Sequence, residues 1–217
     1  MTQHGCTSAD SLRHRRTGQQ IKSSLLMMLA FLASVLMPLA ARAEAPNPLC
    51  AGCHNEDGNS TTPEFPKIAG LDAAYITKQI TDFKKYKRVS EIMGPMAAQI
   101  TDAEIPKLAA YYSAQKRTPE VAADPNLAAQ GRLIFEEGIL NSAVPACSGC
   151  HGEKGEGTDK FPRLAGQHAT YMVAQMNNFK NVVRNNDARG VMRAITLRMT
   201  EQEMKAAAEY ISSLKGE

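Results

Sequence analysis

Two short stretches carry the chemistry of this chain: Cys50-Ala51-Gly52-Cys53-His54 and Cys147-Ser148-Gly149-Cys150-His151. Each reads C-x-x-C-H, the pattern by which a polypeptide attaches a c-type haem. Two thiols three residues apart can each form a thioether to one vinyl group of a single porphyrin. The next residue's imidazole is then held under the ring, where it ligates the iron. Other uses of four thiols fit less well. Two disulfides of an exported protein leave the histidine after each pair unexplained. A four-thiolate zinc site needs both pairs in one place, whereas they lie 97 positions apart, Cys50 to Cys147, in separate copies of a repeat. A thioredoxin-like motif needs a βαβ surround, and nothing here alternates with period two for long enough to suggest a sheet. The spacing predicts two covalently bound haem c groups.

The ligand opposite the histidine decides what such an iron does. Beyond residue 45 the histidines are His54, His151 and His168, too few for bis-histidine ligation at both sites, so methionine is the alternative. Of Met93, Met96, Met172, Met176, Met192, Met199 and Met204, Met172 and Met176 recur at helical spacing and read as core filler. Met204 lies inside the last helix and Met199 just before its cap, so both read as structural. Aligning Thr101 with Thr200 pairs Met93 with Met192 and Met96 with Ile195, and places Met93 and Met192 in loops between helices. Register selects Met192 and favours Met93, with Met96 as the alternative. His168 follows the Ala165-Gly166-Gln167 turn at a helix start, where a structural or hydrogen-bonding role is expected. A ligating imidazole also needs an acceptor for its other N–H, and the carbonyls of Pro66 and Pro162 are positioned to offer one.

The elements that must hold these groups come as a repeat. Phe65-Pro66 matches Phe161-Pro162, and Ala69-Gly70 matches Ala165-Gly166. Tyr75, Gln79 and Phe83 match Tyr171, Gln175 and Phe179. Amphipathic periodicity predicts helices over 72–87 and 169–184, and C-terminal helices with Ile105, Leu108, Ala109 and Tyr112, or Met204, Ala207, Ala208 and Ile211, on one face. Thr101-x-x-Glu104 and Thr200-x-x-Glu203 fit the capping box. Pro106, one turn into the first of these helices, predicts a late or irregular start. The stretch 116–125, rich in proline, reads as a linker between domains at 46–115 and 126–217. The second domain has a helix before its motif, around 126–141. The first has only Pro46-Asn47-Pro48-Leu49 there, so its N-terminal helix is missing and the 102–115 helix lacks its usual contact. Domains this small need a bound haem to complete a core.

Residues 1–45 read as a signal peptide. Arg13, Arg15, Arg16 and Lys22 precede an apolar run from Leu25 to Ala41, and Ala41-Arg42-Ala43 and Ala43-Glu44-Ala45 follow as cleavage patterns. The competing reading is an uncleaved anchor; the run falls just short of the ~20 residues a spanning helix needs. The 217-residue chain has a net charge of +3. Removing the leader takes five of its 25 basic and two of its 22 acidic residues and leaves 20 of each. No charge imbalance then points to nucleic acid, and any membrane contact of the cleaved chain is peripheral.

The tandem CxxCH motifs, the F-P-[KR]-[IL]-A-G segments, Gly166-Gln167-His168-Ala169-Thr170-Tyr171 and Ala109-Ala110-Tyr111-Tyr112 resemble the di-haem cytochrome c4 family over essentially the whole chain after residue 46. The resemblance implies an all-α fold of two tandem class I cytochrome c domains in the periplasm, passing electrons towards a terminal oxidase. It implies thioether attachment at Cys50, Cys53, Cys147 and Cys150, and iron ligation by His54, Met93, His151 and Met192. Saturated iron of this kind suits one-electron exchange rather than catalysis. Two other roles stay open: the cytochrome subunit of a dehydrogenase, such as a flavocytochrome sulfide dehydrogenase, and a di-haem peroxidase-type enzyme. The partners are accordingly redox proteins: a membrane-bound donor complex, a terminal oxidase or a dehydrogenase subunit. Two basic groupings are equally readable as docking patches or as solvated helix faces: Lys78, Lys84, Lys85, Lys87 and Arg88, and Arg184, Arg189, Arg193 and Arg198.

Overall fold

The computed structural model describes residues 47–158 and 160–217. The predicted signal peptide lies outside the described residues. No described helix is long and apolar enough to cross a membrane.

The chain folds as two successive sets of helices. Asn47 accepts a hydrogen bond from Leu49 N–H and starts α1 (Pro48–His54), with Pro48 at a first-turn position that needs no N–H donor. Asp72 caps α2 (Ala73–Lys84) through Tyr75 N–H. After α3 (Met93–Ala98) and α4 (Ile105–Ser113), Asp124 caps α5 (Pro125–Glu137). Then come α6 (Ser148–His151), α7 (Ala169–Lys180), α8 (Val191–Thr196) and α9 (Glu201–Ser213). Among the described residues the only β pairing is an isolated bridge between Ile139 and Val144.

Each set has its own apolar cluster. In the first, Ile76, Ile80 and Phe83 of α2 meet Ile105, Leu108 and Tyr112 of α4. In the second, Met172 of α7 meets Ile134 and Phe135 of α5 and Met204, Ala207 and Ile211 of α9. Helices α5 and α9 approach closely at Gly131. A Cβ built on Gly131 would lie 1.9 Å from the carbonyl oxygen of Ala206, so only glycine permits this crossing. Beside it Phe135 packs on Tyr210, whose hydroxyl bonds Glu136. Tyr111, the counterpart of Tyr210 on α4, instead stands edge-on to its own neighbour Tyr112.

Several local expectations are revised. The middle helices end at Lys84 and Lys180 rather than near 87 and 184, because Tyr86 and Val182 take left-handed backbone, φ 56° and 60°. The helix expected at 102–115 starts at Ile105, which puts Pro106 in the first turn, where its missing N–H costs nothing. The Thr200/Glu203 capping box forms in both directions. At Thr101/Glu104 both bonds run to the Glu104 carboxylate, from Thr101 N–H and from its hydroxyl. Met93 and Met192 lie on the short helices α3 and α8, not in loops.

The proline-bearing stretch after Lys116 is not a free spacer. Arg117 is buried and donates to the carbonyls of Ala69 (2.8 Å), Lys67 (3.1 Å) and Ala165 (3.4 Å). Thr118 N–H bonds Asn59, and Glu120 N–H bonds the Ser212 carbonyl. The connection therefore straps the two repeats to one another. Gly131→Ala is expected to destabilise the fold by about 2–4 kcal/mol, the scale of a forced overpacking. Thermal unfolding followed by circular dichroism measures the loss.

Candidate haem sites

Both C-x-x-C-H stretches lie on a helical turn, so the two thiols of each, at i and i+3, share one face. The four cysteines are half-buried and unpaired. Burial pushes the Cys147 thiol up to about 11 and raises that of Cys50, with the Glu104 carboxylate adding to the latter. Cys50 packs against the first core cluster and Cys147 against the second.

His54 and His151 are buried, 6% exposed each. The Nδ1–H of His54 donates to the carbonyl of Pro66, and that of His151 to the carbonyl of Pro162, both at 2.8 Å. Burial lowers both imidazole pKa values, against the opposing pull of these carbonyls. A neutral ring whose Nδ1 carries the proton leaves the Nε2 lone pair bare, which is the donor that haem iron requires. Phe161 stands edge-on to His151, with ring centroids 5.8 Å apart. Thiol pairs and neutral imidazoles together fit a covalently held haem in each repeat.

The carbonyls are held in place by a turn that both repeats build alike. Gly58 O accepts from Ile68 and Ala69 N–H, and Gly155 O from Leu164 and Ala165 N–H. Gly70 N–H then reaches Tyr112 O on α4, and Gly166 N–H reaches Ile211 O on α9. Gly58 has φ 76°, and a Cβ there would meet Ala69 N at 2.7 Å; both observations require glycine.

Among the sulfur side chains, Met93 is half-buried and packs on the same cluster as Cys50. Met96 is half-buried on the same short helix. Met192 is half-buried in the first turn of α8, while Ile195, the counterpart of Met96, packs on the second cluster. Met172, Met199 and Met204 are buried in that cluster, with Met176 against it. His168 is buried across the junction of the repeats. Its Nε2 lies 2.9 Å from Ser60 O and its Nδ1 3.3 Å from the Glu120 carboxylate.

Composition and motif reading missed the contacts that join the two sites. Arg88 lies over its own repeat's Phe83 and donates to Gln79, then crosses to Tyr171 and Gln175. Arg184 lies over Phe179, donates to Gln175, and crosses to Tyr75 and Gln79. The arrangement is reciprocal, each guanidinium sandwiched between its own phenyl and the other repeat's tyrosine and glutamine. Burial alone pushes the Tyr75 phenol up, yet the two guanidiniums outweigh it and draw its pKa down. The repeated Tyr, Gln and Phe spacing was the available signal; the arginines at matching positions complete it. The basic groupings are thereby reduced. Arg88 and Arg184 are buried, Lys78 pairs with Asp82, and Lys84 with Asp102.

A family model for cytochrome c matches residues 44–115 and 128–215. Two such folds in one chain, each with its C-x-x-C-H turn, define a di-haem c-type cytochrome carrying covalent haem c. The chain is 44% identical over 180 residues to cytochrome c4 of Thiocapsa roseopersicina, covering 82% of this chain and 92% of that one. The crystal structure of reduced recombinant cytochrome c4 from Pseudomonas stutzeri superposes with a TM-score of 0.73 at 37% identity, over 76% of this chain and 93% of the other. A Stutzerimonas stutzeri protein named thiosulfate dehydrogenase electron acceptor is 38% identical over 176 residues, covering 76% of this chain and 78% of that one. The chain belongs to the cytochrome c4 family, and is an electron-transfer protein rather than an enzyme.

At the junction Asn186 donates to the Asp82 carboxylate at 2.8 Å, and Lys78 bonds the same oxygen. Burial pushes the Asp82 carboxyl pKa up, but these donors outweigh it and hold the pKa below the ordinary value. A depressed carboxyl contributes stability that is complete above its unfolded pKa of about 3.9 and is lost as pH falls through the folded value. Urea unfolding at stepped pH should therefore show a steeper loss below about pH 4 in the natural chain than in Asp82→Asn.

Proposed function

We propose that this protein is a periplasmic carrier that takes single electrons from a respiratory donor and passes them towards a terminal oxidase. The observation that carries the reading is the matched pair of buried, neutral imidazoles, each behind two thiols on one helical turn and each with its Nδ1–H committed to a proline carbonyl. His54 and His151 are the proximal iron ligands, and Cys50, Cys53, Cys147 and Cys150 the points of covalent attachment. Met93 and Met192 are the distal ligands; support for Met93 comes from its packing on the cluster that also holds Cys50, and for Met192 from its register with Met93. When bound, haem c supplies reversible iron(II)/iron(III) chemistry. The chain's part is to saturate the metal with protein donors, fix the imidazole tautomer, and exclude water behind the apolar clusters.

Export is supported by the leader-like residues 1–45. A second reading is favoured by the relative named as an electron acceptor of thiosulfate dehydrogenase: the same haem sites would then receive electrons from a dehydrogenase.

The exported chain should give two haems per polypeptide in a pyridine haemochrome assay. Met93→Ala and Met192→Ala should each remove half of the methionine-to-iron(III) charge-transfer band, and Met96→Ala none of it. A band unaffected by Met93→Ala but halved by Met96→Ala would transfer the assignment to Met96.

Docking to an acidic partner falls to the cations left on the surface. Lys85 and Lys87 flank Tyr86, which is 79% exposed, with Val89 and Ile92 exposed beyond them. Lys85→Glu with Lys87→Glu should slow electron transfer to an acidic partner severalfold at low salt. The difference should disappear as ionic strength rises and screens the charges.

A further inference from the structure

The two proximal histidines are held alike by their own repeats but differently by the rest of the molecule. The carbonyl that accepts from His54 belongs to the Pro66–Lys67 peptide. The N–H of that same peptide, on Lys67, donates to Oε1 of Gln167 in the other repeat at 2.8 Å. Gln167 Nε2 donates in turn to the Lys67 carbonyl at 2.8 Å, so the carboxamide docks on Lys67 in one orientation only. Gln167 and Lys67 are 5% and 3% exposed, and no bulk water competes for these bonds. A peptide is one resonance unit: drawing on its N–H raises the electron density on its carbonyl oxygen, and hydrogen bonds in series strengthen one another. The bond from His54 Nδ1–H to Pro66 O is therefore the end of a chain that begins in the second repeat. No equivalent runs the other way from the matching position. The residue at the position matching Gln167 is Leu71, an alkyl side chain buried in the first core, which offers Arg163 neither donor nor acceptor.

We infer that Gln167 is a positioning residue for the first haem: acting through the Pro66–Lys67 peptide, it makes His54 the more electron-donating of the two proximal ligands. This rests on His54 and His151 being those ligands. A stronger donor favours iron(III), so the first haem is the weaker oxidant, and an electron shared between the haems rests on the second. The direction of internal transfer is then set by a side chain that touches neither iron.

The test uses the full, haem-loaded protein with Gln167→Met, which keeps the length but loses both hydrogen bonds, and Gln167→Glu, which keeps an acceptor for Lys67 N–H and adds charge. Spectroelectrochemical titration with proton NMR of the proximal imidazoles reads each haem separately. Gln167→Met should raise the first potential alone and reduce the constant for sharing an electron between the haems about threefold to tenfold, the equivalent of one hydrogen bond. Gln167→Glu should move the first haem the opposite way, so if Gln167→Met does not accumulate, this variant carries the test. Equal shifts of both haems, no shift, or the same direction for both variants overturns the inference. His54→Gly separates this from the ligand assignment. If the first haem's low-spin spectrum survives His54→Gly, the assignment fails; if it is lost while Gln167→Met leaves the first potential unmoved, the assignment stands and the inference does not.

Discussion

In both halves of the molecule a buried imidazole gives its Nδ1 proton to a proline carbonyl at 2.8 Å. Burial opposes the charged form, and the carbonyl decides which nitrogen keeps the proton, so the ring presents a bare Nε2. Much of the fold serves to keep that carbonyl where it is. The segment from Phe-Pro to Ala-Gly turns back onto a glycine carbonyl behind the C-x-x-C-H turn, then fastens to the C-terminal helix through Gly70 N–H or Gly166 N–H. Helices α4 and α9 thus act on the haem site at a distance, by holding the turn that holds the histidine.

The second constraint is the junction. Two guanidiniums of like sign are buried there, a costly arrangement unless each finds partners for its N–H groups and relief for its charge. The partners are neutral oxygens of tyrosine and glutamine, one glutamine from the arginine's own repeat and a tyrosine and a glutamine from the other, and the faces of Phe83 and Phe179. Each half therefore supplies what the other half's arginine needs, and separating them would strand both. Arg117 of the connecting strap reinforces this by donating to Ala69, and Lys67 does so by donating to Thr118 of the strap. The two candidate haem sites are thereby held in a defined relation.

The repeats are alike around each C-x-x-C-H turn and across the reciprocal arginine contacts, and differ at particular matched positions. Asp72 caps α2 with its carboxylate, while His168, at the matching position, reaches across to Ser60. Leu71 fills the first core, while Gln167 grips Lys67. Tyr210 packs on Phe135, while Tyr111, at the matching position, packs among the described residues on its neighbour Tyr112. The matched Tyr, Gln and Arg residues keep the reciprocal part of the junction alike, while Gln167 and His168 diverge from Leu71 and Asp72 where their contacts across it have no counterpart.

The attachment cysteines, the histidine after each pair, the repeat and the longer helices were legible in the amino-acid sequence, because each depends on neighbours a few residues apart, whereas the short helices α3 and α8 were read as loops. Even the proline carbonyls could be named, since the turn carrying them is short and occurs twice. What the sequence did not disclose was which charges are at the surface. Arg88 and Lys87 are adjacent and alike in composition, yet one is buried between the repeats and the other is exposed. That difference comes from Tyr171 and Gln175, more than eighty positions away along the chain. The strap at Arg117 and the grip of Gln167 on Lys67 were hidden for the same reason. Periodicity records which face of a helix is apolar, but only the assembled structure decides what that face, or the polar one opposite, comes to touch.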